Sequence, residues 1–246
     1  MKPILFNTDM VRALLEGRKT VTRRVIDRDI VNRFDVESDG TVISYEDPET
    51  GDHYEPTAVC RYQPGDVLYV QETFCSSSSL MGGDWVCYKA DVEPWQEVSR
   101  YNWKPSIHMP REFARLFLRV KSVNVQQLRQ ITDEEAVREG ARRMFDYMTD
   151  KEYEEWAGRI GEQRTKEEWG WENYLWHGNI GENGITRKMS DSWQYQMSGY
   201  DRPRDSFSSL WNSLLPLKKW NECGWEANPY VWVIEFEKIG REESWK

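Results

Sequence analysis

The sequence is poor in the residues that build metal centres. It has four cysteines and three histidines among 246 residues. The cysteines are Cys60, Cys75, Cys87 and Cys223, a spacing that forms neither a Cys-x-x-Cys pair nor a set of zinc ligands. We therefore expect free thiols in a reducing cytoplasm, with no metal and no other cofactor.

Long apolar runs are also missing. No stretch approaches the roughly 18 apolar residues that a spanning helix needs. The apolar segment within the first 20 residues is interrupted by acids and is too short for an export signal. These absences predict no membrane contact. Aromatic residues are plentiful, at 13 % with thirteen tryptophans, and disordered chains lack them, so we expect a folded core.

Acids outnumber bases, 42 to 33, and give a formal net charge of −9. This balance excludes a protein that coats duplex DNA with its whole surface. The bases are nevertheless concentrated, with seven against four acids in residues 1–30 and nine against five in residues 104–143. These segments predict a local basic site on an acidic body. The alternative is a set of solvated basic residues balanced by nearby acids.

Periodicity and turn signals predict about six strands and two core helices. The helices begin at Thr8 and at Thr132, and the second continues through Met144. Thr132 and Glu135 form a capping box. Because these elements rarely alternate, the pattern favours an α+β fold with a partly closed antiparallel barrel. The expected strands are residues 4–6, 20–25, 67–73, 84–90, 116–125 and 230–239.

Two segments differ from the rest in composition. Residues 35–58 are polar and rich in turn signals, which predicts a hairpin or an insertion. Residues 141–205 are rich in Trp and Glu and broken by Gly, which predicts an inserted helical lobe. We expect one domain over residues 1–246 with these two insertions. Five tryptophans of the lobe either seal it onto the barrel or form a surface for a protein partner: Trp156, Trp169, Trp171, Trp176 and Trp193.

Residues 17–24, with the sequence GRKTVTRR, lie between a predicted helix and a predicted strand. They resemble the signature of the ASCH family, written G-x-K-x-x-E-x-R. Gly17, Lys19 and Arg24 match it, while Thr22 stands where many members have Glu. The N(4)-acetylcytidine amidohydrolases, a branch of that family, also carry Lys-x-x-Thr here, with a later helical Glu as the third proposed catalytic residue. The matching position in this chain is Glu139.

The resemblance extends to about two-thirds of the chain and excludes the segments 35–58 and 141–205. Phage and prophage ASCH proteins have similar stretches at residues 2–8, 103–110 and 225–229. The resemblance implies a PUA-like antiparallel β pseudo-barrel with flanking helices and a helical insertion. It also implies a cytoplasmic protein of phage or prophage origin.

Hydrolysis of an acylated cytidine is one function that the resemblance implies. Thr22 would attack as the nucleophile, Lys19 would take its proton, and Glu139 would activate water or protonate the leaving nitrogen. In an ideal strand, residues 19 and 22 point to opposite faces. Lys19 must therefore lie on the turn at Gly17 if the pair is to meet.

Binding of RNA or of a modified nucleoside is the function that we favour. Cationic side chains of the motif would contact phosphates. Glu72 would accept a hydrogen bond from a base amino group, and Trp103 would stack on a base. His108 would face the pocket. Each residue also has a structural interpretation, as an exposed turn residue, a strand former, a solvated helix acid or a loop anchor. A protein-interaction role for the lobe is the third alternative. The motif residues assigned to binding are Arg18, Thr20, Arg23 and Arg24.

Overall fold

A computed structural model of the chain describes residues 1–78, 84–92, 101–146, 148–172, 174 and 200–243. The contacts divide the chain into two compact units. One consists of Met1–Gln126 with Val231–Lys246, and the other of Gln127–Tyr230. The predicted insertion at 141–205 falls inside the second unit.

The described residues form strands and helices in an order that confirms a mixed α+β class. The strands are β1 (Lys2–Leu5), β2 (Val21–Val25), β3 (Phe34–Val36), β4 (Val42–Glu46), β5 (His53–Tyr54), β6 (Val67–Gln71), β7 (Phe74–Ser78), β8 (Asp84–Tyr88), β9 (Phe117–Gln127) and β10 (Tyr230–Ile239). The helices are α1 (Thr8–Leu15), α2 (Arg28–Val31), α3 (Asp133–Arg138), α4 (Asp150–Ile160), α5 (Pro203–Ser213) and α6 (Trp220–Cys223).

Five strands of the first unit form one sheet in the order β1-β6-β9-β10-β2. Among the described residues this order is open and does not close into a ring. β6 pairs antiparallel with β9, and β10 pairs antiparallel with β2. The predicted antiparallel pairing is wrong at one edge of this sheet, since β1 runs parallel to β6. A long connection separates these two strands in the chain, and such a connection permits parallel pairing.

Two smaller sheets also lie in the described part of the first unit. β3, β4 and β5 form a three-stranded sheet in the segment for which a hairpin or an insertion was predicted. β7 and β8 form a two-stranded antiparallel ribbon. Its Phe74 packs into a buried cluster with Met109, Phe117 and Ile239. Within the described part of the chain, we find no helix with the length and hydropathy to cross a bilayer.

Helix α1 positions the segment that carries the motif. Its N-cap is Asn7, whose Oδ1 accepts a hydrogen bond from the Met10 backbone N–H at 2.9 Å. Its apolar face is buried at Val11 and Leu14. The helix is followed by Gly17 with φ of +77°, a left-handed conformation that glycine adopts without a steric penalty. This left-handed glycine thus forms the turn that separates the helix from the segment carrying Lys19.

In the second unit, α3 begins at the predicted capping box. The Thr132 hydroxyl oxygen accepts from the Glu135 backbone N–H at 3.1 Å, and the Glu135 carboxylate accepts from the Thr132 N–H at 3.0 Å. The predicted extension of this helix through Met144 is wrong. The helix stops at Arg138 because Gly140 adopts φ of +106°, which breaks the helical hydrogen-bond pattern.

An aromatic cluster forms part of the buried interior of this second unit. Trp169 is 2 % exposed, and its ring centroid lies 5.0 Å from that of Phe145. Its indole Nε1 donates to the Tyr153 hydroxyl at 2.6 Å, and Trp156 packs against the same group. Tryptophans of the predicted lobe thus pack on other aromatic residues of their own unit. Trp176 and Trp193 lie outside the described residues.

Candidate functional site

Lys19 lies on the connection between the glycine turn and β2, which begins two residues later. It is 2 % exposed. Its Nζ donates to the Val21 carbonyl oxygen at 2.8 Å and lies 5.6 Å from the centroid of the Phe6 ring. The interpretation as an exposed turn lysine is therefore wrong. Since Lys19 precedes the strand, the alternation of faces along β2 does not determine its direction.

Thr22 and Arg23 are buried within β2, at 4 % and 3 % exposure. They pair in register with Ile234 and Val233 of β10. With the Gln126 side-chain amide turned so that its oxygen faces the guanidinium, that oxygen accepts from Arg23 Nε at 3.1 Å and from Nη2 at 2.6 Å. The idea that Arg23 is a solvated strand residue is wrong.

The other cationic residues of the motif are half-buried. Arg24 Nη2 donates to the Leu5 carbonyl oxygen at 2.7 Å, and its guanidinium lies 5.1 Å from the Phe6 centroid. Arg18 pairs with Glu16. Phe6 therefore has two cationic groups near its ring, those of Lys19 and Arg24, an arrangement that cation–π attraction stabilises. The sequence placed Phe6 at the end of an expected strand but not among the candidate site residues.

Thr20 contributes its backbone to the architecture of the motif. Its carbonyl oxygen accepts a hydrogen bond from the Phe236 N–H at 3.0 Å. This bond joins the residue that precedes β2 to β10. The residue itself is half-buried. Together with the hydrogen bond from the Lys19 N–H to the Ala13 carbonyl oxygen at 3.0 Å, this contact helps to hold the connection that carries Lys19.

Of the acids that the structure describes in the first unit, Glu72 is the most deeply buried, at 1 % exposure. Arg115 binds it in a bidentate fashion, with Nε at 2.8 Å from Oε1 and Nη2 at 3.0 Å from Oε2. Arg115 also bonds Asp91 at 2.7 Å and lies over the Tyr88 ring at 3.9 Å. Burial raises the pKa of Glu72, and the arginine offsets part of that rise. Arg115 and Asp91 were missed because they are far from Glu72 in sequence.

Trp103 and His108 lie on the proline-flanked loop of the first unit. Trp103 is half-buried, and its ring centroid is 5.1 Å from that of Tyr101. Its indole Nε1 is buried and has no hydrogen-bond partner within the described structure. Such a donor is costly unless it is satisfied in some state of the protein. His108 is exposed at the end of the short 3-10 helix Ser106–His108.

Glu139 belongs to the second unit and directly follows α3. Its backbone N–H donates to the Glu135 carbonyl oxygen at 2.8 Å. The residue is only 2 % exposed, so the interpretation as a solvated helix acid is wrong. The resemblance assigns catalysis to three residues, and all three are buried: Lys19, Thr22 and Glu139.

A polar cleft of about 340 Å³ also lies in the second unit. Arg164 stacks on Trp169 with 3.6 Å between guanidinium carbon and ring centroid, and Arg143 lies 5.4 Å from Trp171. Glu162 holds Arg164, and the Glu167 carbonyl accepts from Arg143. Both guanidinium groups are therefore already engaged within their own unit.

Comparisons of the chain with protein-family models, with curated proteins and with solved structures found no match.

Proposed function

We propose that the first unit is an ASCH-type, PUA-like fold that binds a short RNA segment or a modified nucleoside through residues 17–24. The observation that carries this proposal is the burial of two cationic side chains, Lys19 and Arg23, inside the motif. Burying a charge costs free energy that an apolar residue would avoid. Buried cationic side chains therefore reduce the stability of a core, but they suit a site that binds a polar ligand.

The half-buried arginines suit the phosphate part of such a ligand. Arg18 and Arg24 retain solvent access, and guanidinium groups bind phosphate in a bidentate geometry. The indole N–H of Trp103, which has no partner among the described residues, supplies a donor, and its ring supplies a stacking surface. Glu72 is a less suitable contact for a base amino group, since Arg115 already binds both of its carboxylate oxygens.

Fluorescence polarisation with a short labelled single-stranded RNA tests this proposal. We expect the logarithm of the affinity to fall linearly with the logarithm of salt concentration, by about 0.7 for each phosphate contacted. Arg24→Gln should weaken binding and reduce that slope by about 0.7, because it removes one contact. Arg159→Gln, in α4 of the second unit, is the matched control and should leave both quantities unchanged. An affinity that does not change with salt would contradict phosphate recognition by the motif.

A second candidate function is metal-independent hydrolysis of N(4)-acetylcytidine-like nucleosides. The burial of both Lys19 and Thr22 favours it, because burial favours the neutral amine that a general base requires. The Thr22 oxygen would attack the acetyl carbon while Lys19 accepts its proton. The cytidine amine would then leave with a proton, and water would release acetate from the threonine ester. The resemblance assigns the activation of that water to Glu139.

Acetate release from N(4)-acetylcytidine at high enzyme concentration tests the second candidate. Thr22→Ser keeps a hydroxyl and should retain turnover, whereas Thr22→Val keeps the shape and should abolish it. Lys19→Met should also abolish turnover. Release by the wild-type protein that does not exceed the blank would refute hydrolysis while leaving the binding proposal intact.

A further inference from the structure

Two free cysteines face each other across the ribbon of β7 and β8. Cys75 and Cys87 are directly opposite in the antiparallel register. The Lys89 N–H donates to the Thr73 carbonyl at 2.9 Å, which makes that pair a hydrogen-bonded one. Because hydrogen-bonded and non-hydrogen-bonded pairs alternate, the cysteine pair two residues further is hydrogen-bonded too, with Cα atoms about 5.5 Å apart. That separation lies within the range that a disulfide spans.

The side chains of the two cysteines interact directly. Cys75 is 5 % exposed and Cys87 is half-buried, so Cys87 is the more accessible of the two. Burial raises the pKa of Cys87 to about 11, and a side-chain hydrogen bond with Cys75 adds to the rise. Directly opposite residues of an antiparallel ribbon project their Cβ atoms from the same face, so the two thiols lie side by side.

We propose that Cys75 and Cys87 are a redox pair that forms a reversible disulfide when a hydroperoxide oxidises the protein. Because its pKa is raised, only a small fraction of Cys87 is thiolate at neutral pH, and the fraction grows with pH. This thiolate attacks a peroxide oxygen, the O–O bond breaks, and a sulfenic acid and a hydroxide form. The sulfur of Cys75 then attacks the Cys87 sulfur, the S–O bond breaks, and hydroxide leaves. Both hydroxides take up the thiol protons, so two thiols and one hydrogen peroxide give one disulfide and two waters.

This disulfide would constrain the surroundings of Glu72. β7 begins two residues after Glu72, and Asp91 follows β8 by three residues. Both carboxylates bond Arg115. A cross-link between β7 and β8 would therefore fix the spacing of the two segments that carry Glu72 and Asp91. The inference rests on the register that places Cys75 opposite Cys87, and it is independent of the proposed function.

Thiol titration and intact-mass measurement of the full chain in hydrogen peroxide test the redox pair. We expect accessible thiols in denaturant to fall from four to two and the mass to fall by about 2 Da. A proteolytic fragment should join the two strands, and dithiothreitol should reverse all three changes. The initial rate should rise with pH, because the thiolate is the nucleophile. Cys87→Ser should abolish the change, while Cys60→Ser and Cys223→Ser should preserve it.

Two outcomes would overturn the proposal. One is an oxidised wild-type protein that keeps four titratable thiols. The other is a mass gain of about 32 Da at Cys87, the signature of a sulfinic acid, with no peptide linking it to Cys75. Because Cys87 is half-buried, its serine variant should fold, and its thermal unfolding midpoint checks this. Cys75→Ala provides a second test from the other side of the pair.

Discussion

Replacing Arg115 by methionine removes the cationic partner of a carboxylate that is 1 % exposed. Methionine keeps an unbranched apolar side chain of similar length, so the packing on Tyr88 is largely preserved. The variant retains Glu72 in its buried position but deprives it of two hydrogen bonds, at 2.8 and 3.0 Å. The expected result is an unfolding free energy well below that of the wild-type protein at neutral pH.

The size of the expected loss in unfolding free energy follows from removing only one member of the ion pair. Removing one partner of a fully buried ion pair costs about 3–5 kcal/mol, because the other charge remains unpaired. The Arg115 side chain is 26 % exposed, so water reaches part of this pair. We therefore expect a loss near the lower limit, about 3 kcal/mol at pH 7.

The loss should depend on pH with a definite sign. Burial raises the pKa of Glu72 above its ordinary value of 4.5, and Arg115 opposes that rise. In Arg115→Met the pKa rises further, so ionised Glu72 opposes folding more strongly than in the wild-type protein. The stability difference should grow as pH increases from about 4.5 to 7, and it should shrink near pH 4, where Glu72 is protonated in both proteins.

Urea unfolding followed by tryptophan fluorescence at pH 4, 5.5 and 7 measures this difference. Arg119→Met is the matched control, because the ion pair of Arg119 with Glu237 is long, at 3.5 Å, and exposed on both sides. It should cost less than about 1 kcal/mol at every pH. Adding Glu72→Gln to Arg115→Met should recover part of the loss. A loss in Arg115→Met that is below 1 kcal/mol, or equal at all three pH values, would refute the reasoning.

Three further stability changes follow from the fold, each measurable by urea unfolding. Gly17→Ala should cost about 1 kcal/mol, since φ is +77° and an added Cβ meets no atom within 4 Å; an unchanged stability would show that the turn relaxes freely. Thr132→Ala removes the N-cap of α3 and should cost about 1 kcal/mol, and a smaller loss in Thr132→Ser is its control. Trp169→Ala should cost about 3–5 kcal/mol, and a loss below 1 kcal/mol would mean that the aromatic cluster does not stabilise the second unit.

Patterns among neighbouring residues predicted individual strands, caps and turns of this protein better than they predicted which strands pair. The strand β10 was predicted with the bounds that it has, because β-branched and aromatic residues fill it and Asn-Pro precedes it. The capping box at Thr132 and the turn at Gly17 were also predicted from neighbouring residues. The end of α3 was not, since the apolar spacing continues past Gly140 although the backbone there is left-handed.

Contacts between residues that are distant in the chain account for what the sequence did not reveal. The sequence pointed to Glu72 but not to Arg115, which lies 43 positions away and reaches it only through the pairing of β6 with β9. The thiol pair is hidden for the same reason, since Cys75 and Cys87 match no spacing rule until β7 and β8 form a ribbon. Burial of Lys19 and Arg23 likewise depends on neighbours that periodicity does not specify.

Ultraviolet cross-linking of a short RNA containing 4-thiouridine, mapped by mass spectrometry of the protein fragments, tests the central claim most directly. The account predicts cross-links to peptides that contain residues 17–24 and to the peptide that contains Trp103, with yields that fall as salt increases. Arg24→Gln should lower the yield at the motif, and Arg159→Gln should not. Cross-links confined to the second unit, with none in the motif peptide, would contradict the account.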